Sequence, residues 1–246
     1  MKVLTEMMSY KGGRKNNEDF CAYKQVDDSG CWVLADGLGG HKGGEVASRL
    51  AVDTIIESFA KYREFNVETL AKYMESAQQT LLKAQEEDDL LYSMRTTIVI
   101  LLADYDESLW AHIGDSRLYH LRNGQIVYQT KDHSMPQNML ESGEITADQI
   151  RNHPDRNRLL RVLGKSGELR PSISQQKIKL EQNDAFLLCT DGFWELVTET
   201  EMEVDYVKST NPAQWLNNMQ DRILYRADNE ADNENDNYSA IAIWFT

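Results

Sequence analysis

Three aspartates stand where apolar runs stop, and a fourth stands just before one begins. The stretch VLADGLGGHKGGE, residues 33–45, rises as an apolar run to Asp36 and then places five glycines among its last nine positions. FLLCTDG carries Asp191 and Gly192 at the end of a second run, AHIGDSR brings a third to Gly114 and Asp115, and Asp236 closes an acidic loop before YSAIAIWF. Strands packed side by side bring their ends together, so acids far apart in sequence can meet on one rim. Gathered there, like charges repel until protonation or a cation relieves them. Oxygen ligands with no histidine or cysteine at useful spacing suit hard ions such as Mg2+ or Mn2+ better than zinc or copper. The glycines after Asp36 would permit tight and positive-φ turns, leave carbonyl oxygens available and clear a substrate's approach. One Asp-Gly pair alone reads as an ordinary hairpin turn, whereas several, each closing an apolar run, read as a site. GGRKNNED adds Arg14, with Glu18 and Asp19 four and five residues on. Beside a metal cluster, an arginine fork matches phosphate oxygens.

Such acids need strands to carry them. Short β-branched or aromatic runs bounded by Asp, Gly or Asn predict strands over residues 20–25, 31–36, 96–104, 108–114, 117–122, 125–129, 174–180, 184–189 and 239–245. A helix is predicted over 44–62, with Ala47, Ala51, Ile55 and Phe59 at a spacing of four, and another over 68–86, with Leu70, Met74, Ala77, Leu81 and Ala84 on one stripe. These two should pack together, antiparallel, against one sheet. A later helix follows Pro212, with Trp215, Met219 and Ile223 on its apolar side and Asn211 as its cap. The order of elements favours antiparallel sheets with segregated helices, an α+β sandwich, over regular βαβ alternation.

The chain has 246 residues, four prolines and no linker-like tract, and is expected to form one domain over 1–246. An apolar fraction of 41% with 27% charged residues is that of a soluble globular protein with a real core. The net charge of −14 argues against nucleic-acid binding over a broad surface. It suits a protein that concentrates carboxylates around cations, and serves solubility equally well. The apolar stretch at 98–103 is too short to cross a bilayer and no signal-type region precedes Glu6, so no membrane partner and a cytoplasmic location are expected. Cys21, Cys31 and Cys189 read as buried reduced thiols.

Taken in order, RKNNED, VLADGLGGHKGGEVAS, MRTT, GDSRLY, TKDHS, NRLLRVLG, FLLCTDGFWE and DNYSAIAI resemble the motif series of the metal-dependent protein phosphatases, the PPM or type 2C serine/threonine phosphatases. The likeness runs from about Arg14 to the last strand and is nearest to the compact bacterial branch, through the longer glycine loop of ADGLGGH. It implies a central antiparallel β-sandwich of two sheets with helices packed on both outer faces and a metal cleft at one end. It implies that Asp36 bridges two Mn2+ or Mg2+ ions, with the Gly37 carbonyl as a further ligand and Asp191 and Asp236 on one of the two. Glu18 and Asp19 would act through metal-bound waters, Asp115 would share a third, weaker ion with Asp191, and Arg14 would bind phosphate.

The implied reaction is hydrolysis of phosphoserine and phosphothreonine on proteins by a water nucleophile activated at the dinuclear centre, without a phosphoenzyme. The implied partners are substrates of a Ser/Thr kinase, and the enzyme would be a monomer. For the proton owed to the leaving alkoxide, His41 is the nearest histidine in sequence to the metal loop. Relatives with a short loop place a histidine directly after Asp-Gly, where this chain has Leu38, so His41 and a metal-bound water both stay open as donors. His133 reads as structural, bonded to a neighbouring turn. Arg95 stands where the family usually has glycine. A positive-φ turn there would cost about 1 kcal/mol, and an exposed strand start would cost nothing. Residues 134–164 resemble the flap beside the cleft, whose place points to substrate selection. An inactive, phosphatase-like binding module is a rival reading, opposed by the presence of Asp36, Asp191 and Asp236. A hydrolase of small phosphoesters is another, and would want a closed pocket rather than a flap.

Overall fold

The apolar runs that end in aspartate are strands buried on both faces, which is why they read as continuous and not as alternating. The computed structural model describes residues 2–39, 43–229 and 235–246. In chain order its strands are β1 (Val3–Tyr10), β2 (Asp19–Val26), β3 (Ser29–Leu38), β4 (Arg95–Thr96), β5 (Ile98–Ala103) and β6 (Glu107–Ile113). There follow β7 (Arg117–Arg122), β8 (Gln125–Gln129), β9 (Ser172–Ile173), β10 (Ile178–Lys179), β11 (Ala185–Cys189) and β12 (Tyr238–Phe245). The α-helices are α1 (Gly43–Lys61), α2 (Val67–Glu87), α3 (Met135–Ser142), α4 (Ala147–Ile150), α5 (Asp191–Trp194), α6 (Glu199–Lys208) and α7 (Pro212–Asn229). One sheet has the order β1-β12-β11-β7-β8 and the other β10-β6-β5-β3-β2, with β4 on β3 and β9 on β6. The strand pairs are antiparallel.

The two-residue period of a strand sorts each run between two cores. Along β12, Ile241, Ile243 and Phe245 enter the core between the sheets, where they meet Trp32 and Leu34 of β3. The alternate residues Ala240, Ala242 and Trp244 face α7, packing with Trp215, Met219 and Ile223. On the other outer face, Val33 and Ala35 of β3 pack with Ala47, Ala51, Ile55 and Phe59 of α1 and with Leu70, Met74, Ala77 and Leu81 of α2. Helices therefore cover both outer faces of a two-sheet sandwich, the expected α+β architecture. Asn211 Oδ1 accepts from the backbone N–H of Gln214 at 2.9 Å and caps α7 as read.

The strand β1 was not expected. Its sequence VLTEMMSY mixes polar residues into a half-exposed edge, and its place is fixed by backbone pairing with β12 along all eight residues. The strand expected over 96–104 is broken at Thr97, whose backbone N–H turns to the Asp36 carbonyl at 2.9 Å. The strand expected over 174–180 shrinks to β10, with the short β9 before it. Arg95 pairs with Leu38 in β4 and is absent from the residues with positive φ, so the glycine departure carries no strain. Residues 134–164 hold α3 and α4, close on themselves through a bridge of Ser134 to Leu159 and return to the body through one of Thr96 to Leu163. All three cysteines are free thiols; Cys31 and Cys189 are buried and Cys21 is partly so. Among the described residues no helix is long and apolar enough to cross a membrane.

Candidate metal and phosphate cleft

Register brings the acids together. In the β2/β3 pair Asp19 stands directly opposite Asp36. The main chain of Asp36 is gripped by two threonines: its carbonyl accepts from Thr96 Oγ1 at 2.7 Å and its N–H donates to Thr97 Oγ1 at 3.1 Å. Asp191 follows the end of β11, where Thr190 Oγ1 donates to Asp19 Oδ2 at 2.9 Å and accepts from Ser239 N–H at 3.0 Å. Asp115 lies in the turn between β6 and β7, and its carbonyl accepts from the indole N–H of Trp194 at 2.9 Å.

The result is a cluster in which Asp36, Asp115 and Asp191 each present a ligand oxygen within 4.8 Å of the others. Asp115 is buried, and its Oδ1 has no hydrogen-bond partner. Burial, with Asp191, Asp19 and Asp115 as neighbouring charges, pushes the Asp36 carboxyl well above the usual range. Asp191 is driven up in the same way, by burial and then by Asp115 and Asp236. Burial and Asp132 push Asp115 up to about 8, and burial pushes Asp19 up to about 7. Three crowded carboxylates, one with an orphaned buried oxygen, form an oxygen-only donor set that fits a hard multivalent cation.

These acids line a cleft of about 360 Å³, together with Arg14, Glu18, Gly37 and Asp236. A Cβ on Gly37 would lie 2.0 Å from the Gly44 carbonyl oxygen, so glycine is needed here for close backbone approach, while Gly39 supplies the positive φ, +130°. A Cβ on Gly44 would meet Glu18 Oε2 at 2.5 Å and the Gly37 carbonyl oxygen at 2.8 Å, so these two oxygens converge over the start of α1. Burial, then the charge of Asp236, raises the Glu18 carboxyl. Asp236 lines the cleft but stands outside the three-acid cluster. Arg14 holds it with a two-point fork, Nε to Oδ1 at 3.1 Å and Nη2 to Oδ2 at 2.9 Å.

The sequence-predicted residues Arg14, Glu18, Asp36, Gly37, Asp115, Asp191 and Asp236 thus share one cleft. His41 lies outside the described residues. His133 is a structural group as read: its Nδ1 accepts from Gly114 N–H at 3.2 Å, and its Nε2 lies 2.9 Å from Ser172 Oγ. Asn237 was missed. Its Oδ1 accepts from Glu18 N–H at 2.7 Å and its Nδ2 donates to the carbonyls of Lys11 and Asn16, tying the Arg14 loop to the last strand. Its signal was the Asp-Asn pair before the final apolar run. From the 134–164 segment, Asn157 and Leu159 reach the cleft wall.

A family model described as Protein phosphatase 2C matches residues 11–231. The serine/threonine phosphatase stp of Listeria welshimeri serovar 6b is 34% identical over 202 residues, which cover 80% of this chain and 79% of that protein. The crystal structure of serine/threonine phosphatase Stp1 from Staphylococcus aureus superposes with a TM-score of 0.87 at 26% identity, covering 100% of this chain and 96% of that one. The catalytic domain of serine threonine protein phosphatase PstP, solved in complex with two manganese ions, shares the fold at a TM-score of 0.83 and 24% identity, covering 98% of this chain and 97% of that one.

Proposed function

The chain belongs to the protein phosphatase 2C family, and from that premise we propose that it hydrolyses phosphoserine and phosphothreonine on proteins at a cation-loaded cleft. The observation that carries this reading is the Asp36, Asp115 and Asp191 cluster, with its unpartnered buried oxygen, in the cleft that Arg14 borders. Asp36, Asp191, Asp236 and the Gly37 carbonyl are the residues to hold a pair of Mn2+ or Mg2+ ions, with Glu18 and Asp19 in support. Asp115 and Asp191 are the residues to share a third. Bound there, such ions supply an activated water nucleophile and offset the charge on the phosphoryl group.

The chain's own residues do the rest. The planar fork of Arg14 now engages a carboxylate and matches phosphoryl oxygens equally well. Asn237 holds the loop that carries Glu18, and the paired threonines, Thr96 and Thr97, hold the stretch of β3 that carries Asp36, so these two acids are positioned before substrate arrives. The leaving alkoxide would take its proton from His41 or from a metal-bound water. Asn157 and Leu159 place the 134–164 segment beside the incoming chain, so it contributes to the choice of substrate protein.

The test is release of phosphate from a phosphothreonine peptide. Activity is expected with Mn2+ and absent in EDTA; full activity in EDTA would sink the cation-loaded reading. If His41 protonates the leaving group, His41→Ala slows a phosphoserine peptide more than an aryl phosphate. Equal loss on both would rule it out.

A further inference from the structure

Asp115 and Asp191 are carried by different segments, and one side chain joins them. Asp191 opens the single turn α5, and Trp194 at the end of that turn reaches across to the Asp115 carbonyl, indole Nε1 to O at 2.9 Å. The Asp115 carboxylate has no comparable tether at Oδ1, which lacks a hydrogen-bond partner among the described residues. The side chain of Asp115 is therefore aimed through its main chain.

Trp194 is itself held. The guanidinium of Arg117 lies 3.4 Å from the centroid of a Trp194 ring, a buried cation over an aromatic face. Arg117 cannot swing away, because Asp132 binds it at two points, Nε to Oδ1 and Nη2 to Oδ2, both at 2.8 Å. Arg117 and Asp132 are each 5% exposed. A buried two-point pair keeps its geometry where a surface pair would not, since breaking it strands a charge. Arg151, from the 134–164 segment, covers the same indole at 5.5 Å.

We propose that Trp194, clamped under Arg117 and Asp132, is a positioning residue that fixes the separation of Asp115 and Asp191 and so sets the affinity of the cation these two acids share. The inference rests on the reading of Asp115 and Asp191 as cation ligands. The bracket touches neither the cation nor the substrate; it acts by keeping two repelling carboxylates at one spacing.

The experiment is calorimetric titration of the full chain with Mn2+, with the thermal midpoint measured in chelator. Trp194→Phe keeps an aromatic ring beneath the guanidinium and removes the indole donor together with part of the ring volume. It is expected to weaken the weakest Mn2+ site about 10-fold, the low end for losing an outer partner of a metal ligand, and to leave the tighter sites within about 2-fold. Arg117→Lys keeps the charge but loses the fork, and should move the same site in the same direction. Asp115→Asn separates the two ideas. If it removes the weakest site while Trp194→Phe leaves every site unchanged, the bracket is overturned and the cation reading stands. Should Asp115→Asn bind Mn2+ as the parent does, the cation reading of Asp115 fails and the bracket with it. Equal weakening of all sites by Trp194→Phe would also overturn the proposal, because the indole would then be serving the fold at large.

Discussion

The strand β11 has an aspartate at each end, and the molecule treats the two in opposite ways. Asp184, just before it, is fully buried and surrounded by partners: Arg122 Nε reaches Oδ1 at 2.8 Å and Nη2 reaches Oδ2 at 2.7 Å. His120 Nε2 lies 3.2 Å away, and the Glu181 N–H donates at 2.9 Å. Burial works against its charge, yet the hydrogen bonds from Arg122 and the Glu181 N–H, with His120 close by, outweigh it and draw the carboxyl down to about 2. Asp191, just past the other end, faces Asp36 and Asp115 and is pushed far up. The fold supplies a two-point arginine to the first acid and, among the described residues, a Gly192 N–H at 2.6 Å and further carboxylates to the second, an arrangement that fits the proposed cation.

Substitutions at the two ends should therefore fail differently. Asp191→Asn is expected to lower Mn2+-dependent phosphatase activity by roughly 10³-fold, the scale of losing a central electrostatic group. In chelator its thermal midpoint should not fall, because a repelling charge has been removed. Asp184→Asn should do the reverse. Leaving Arg122 and His120 facing a neutral amide costs about 3 kcal/mol in denaturant unfolding, with activity per folded molecule unchanged. A large stability loss in Asp191→Asn, or a large catalytic loss in Asp184→Asn, would erase the distinction.

Acid unfolding sharpens the comparison. The folded-state pKa of Asp184 lies below its ordinary value of 3.8, so its contribution is present above about pH 4 and is lost as pH falls toward 2. A shift of that size is worth about 2 kcal/mol, and Asp184→Asn should flatten the stability profile over that interval. The smallest effect belongs to Glu181, which is 59% exposed at 2.8 Å from Arg122 Nη1. Glu181→Gln should change stability by less than about 1 kcal/mol, as exposed ion pairs do. A larger change would mean that Arg122 depends on its outer partner as well as on Asp184.

Much of this could be read from the chain alone. The runs ending at Asp36, Asp115 and Asp191 were legible because a strand buried on both faces must be apolar throughout, and an acid that stops such a run is conspicuous. The helices α1, α2 and α7 were legible through their periodic apolar stripes. What the chain could not give were contacts made by backbone or between distant segments. The edge strand β1 owes its place to pairing with β12, which leaves no pattern in VLTEMMSY. Thr97 breaks a β-branched run to hold Asp36, and local propensity cannot foresee that. Asp236 lines the same cleft as Asp36 and Asp191 and is also gripped by Arg14, a contact between charges 222 positions apart that only folding brings together. Residue types determined which chemistry this protein could hold, because donor atoms and charge belong to side chains. Tertiary structure alone decided which acids are crowded and which are paired, because an electrostatic energy depends on distances that only the folded chain defines.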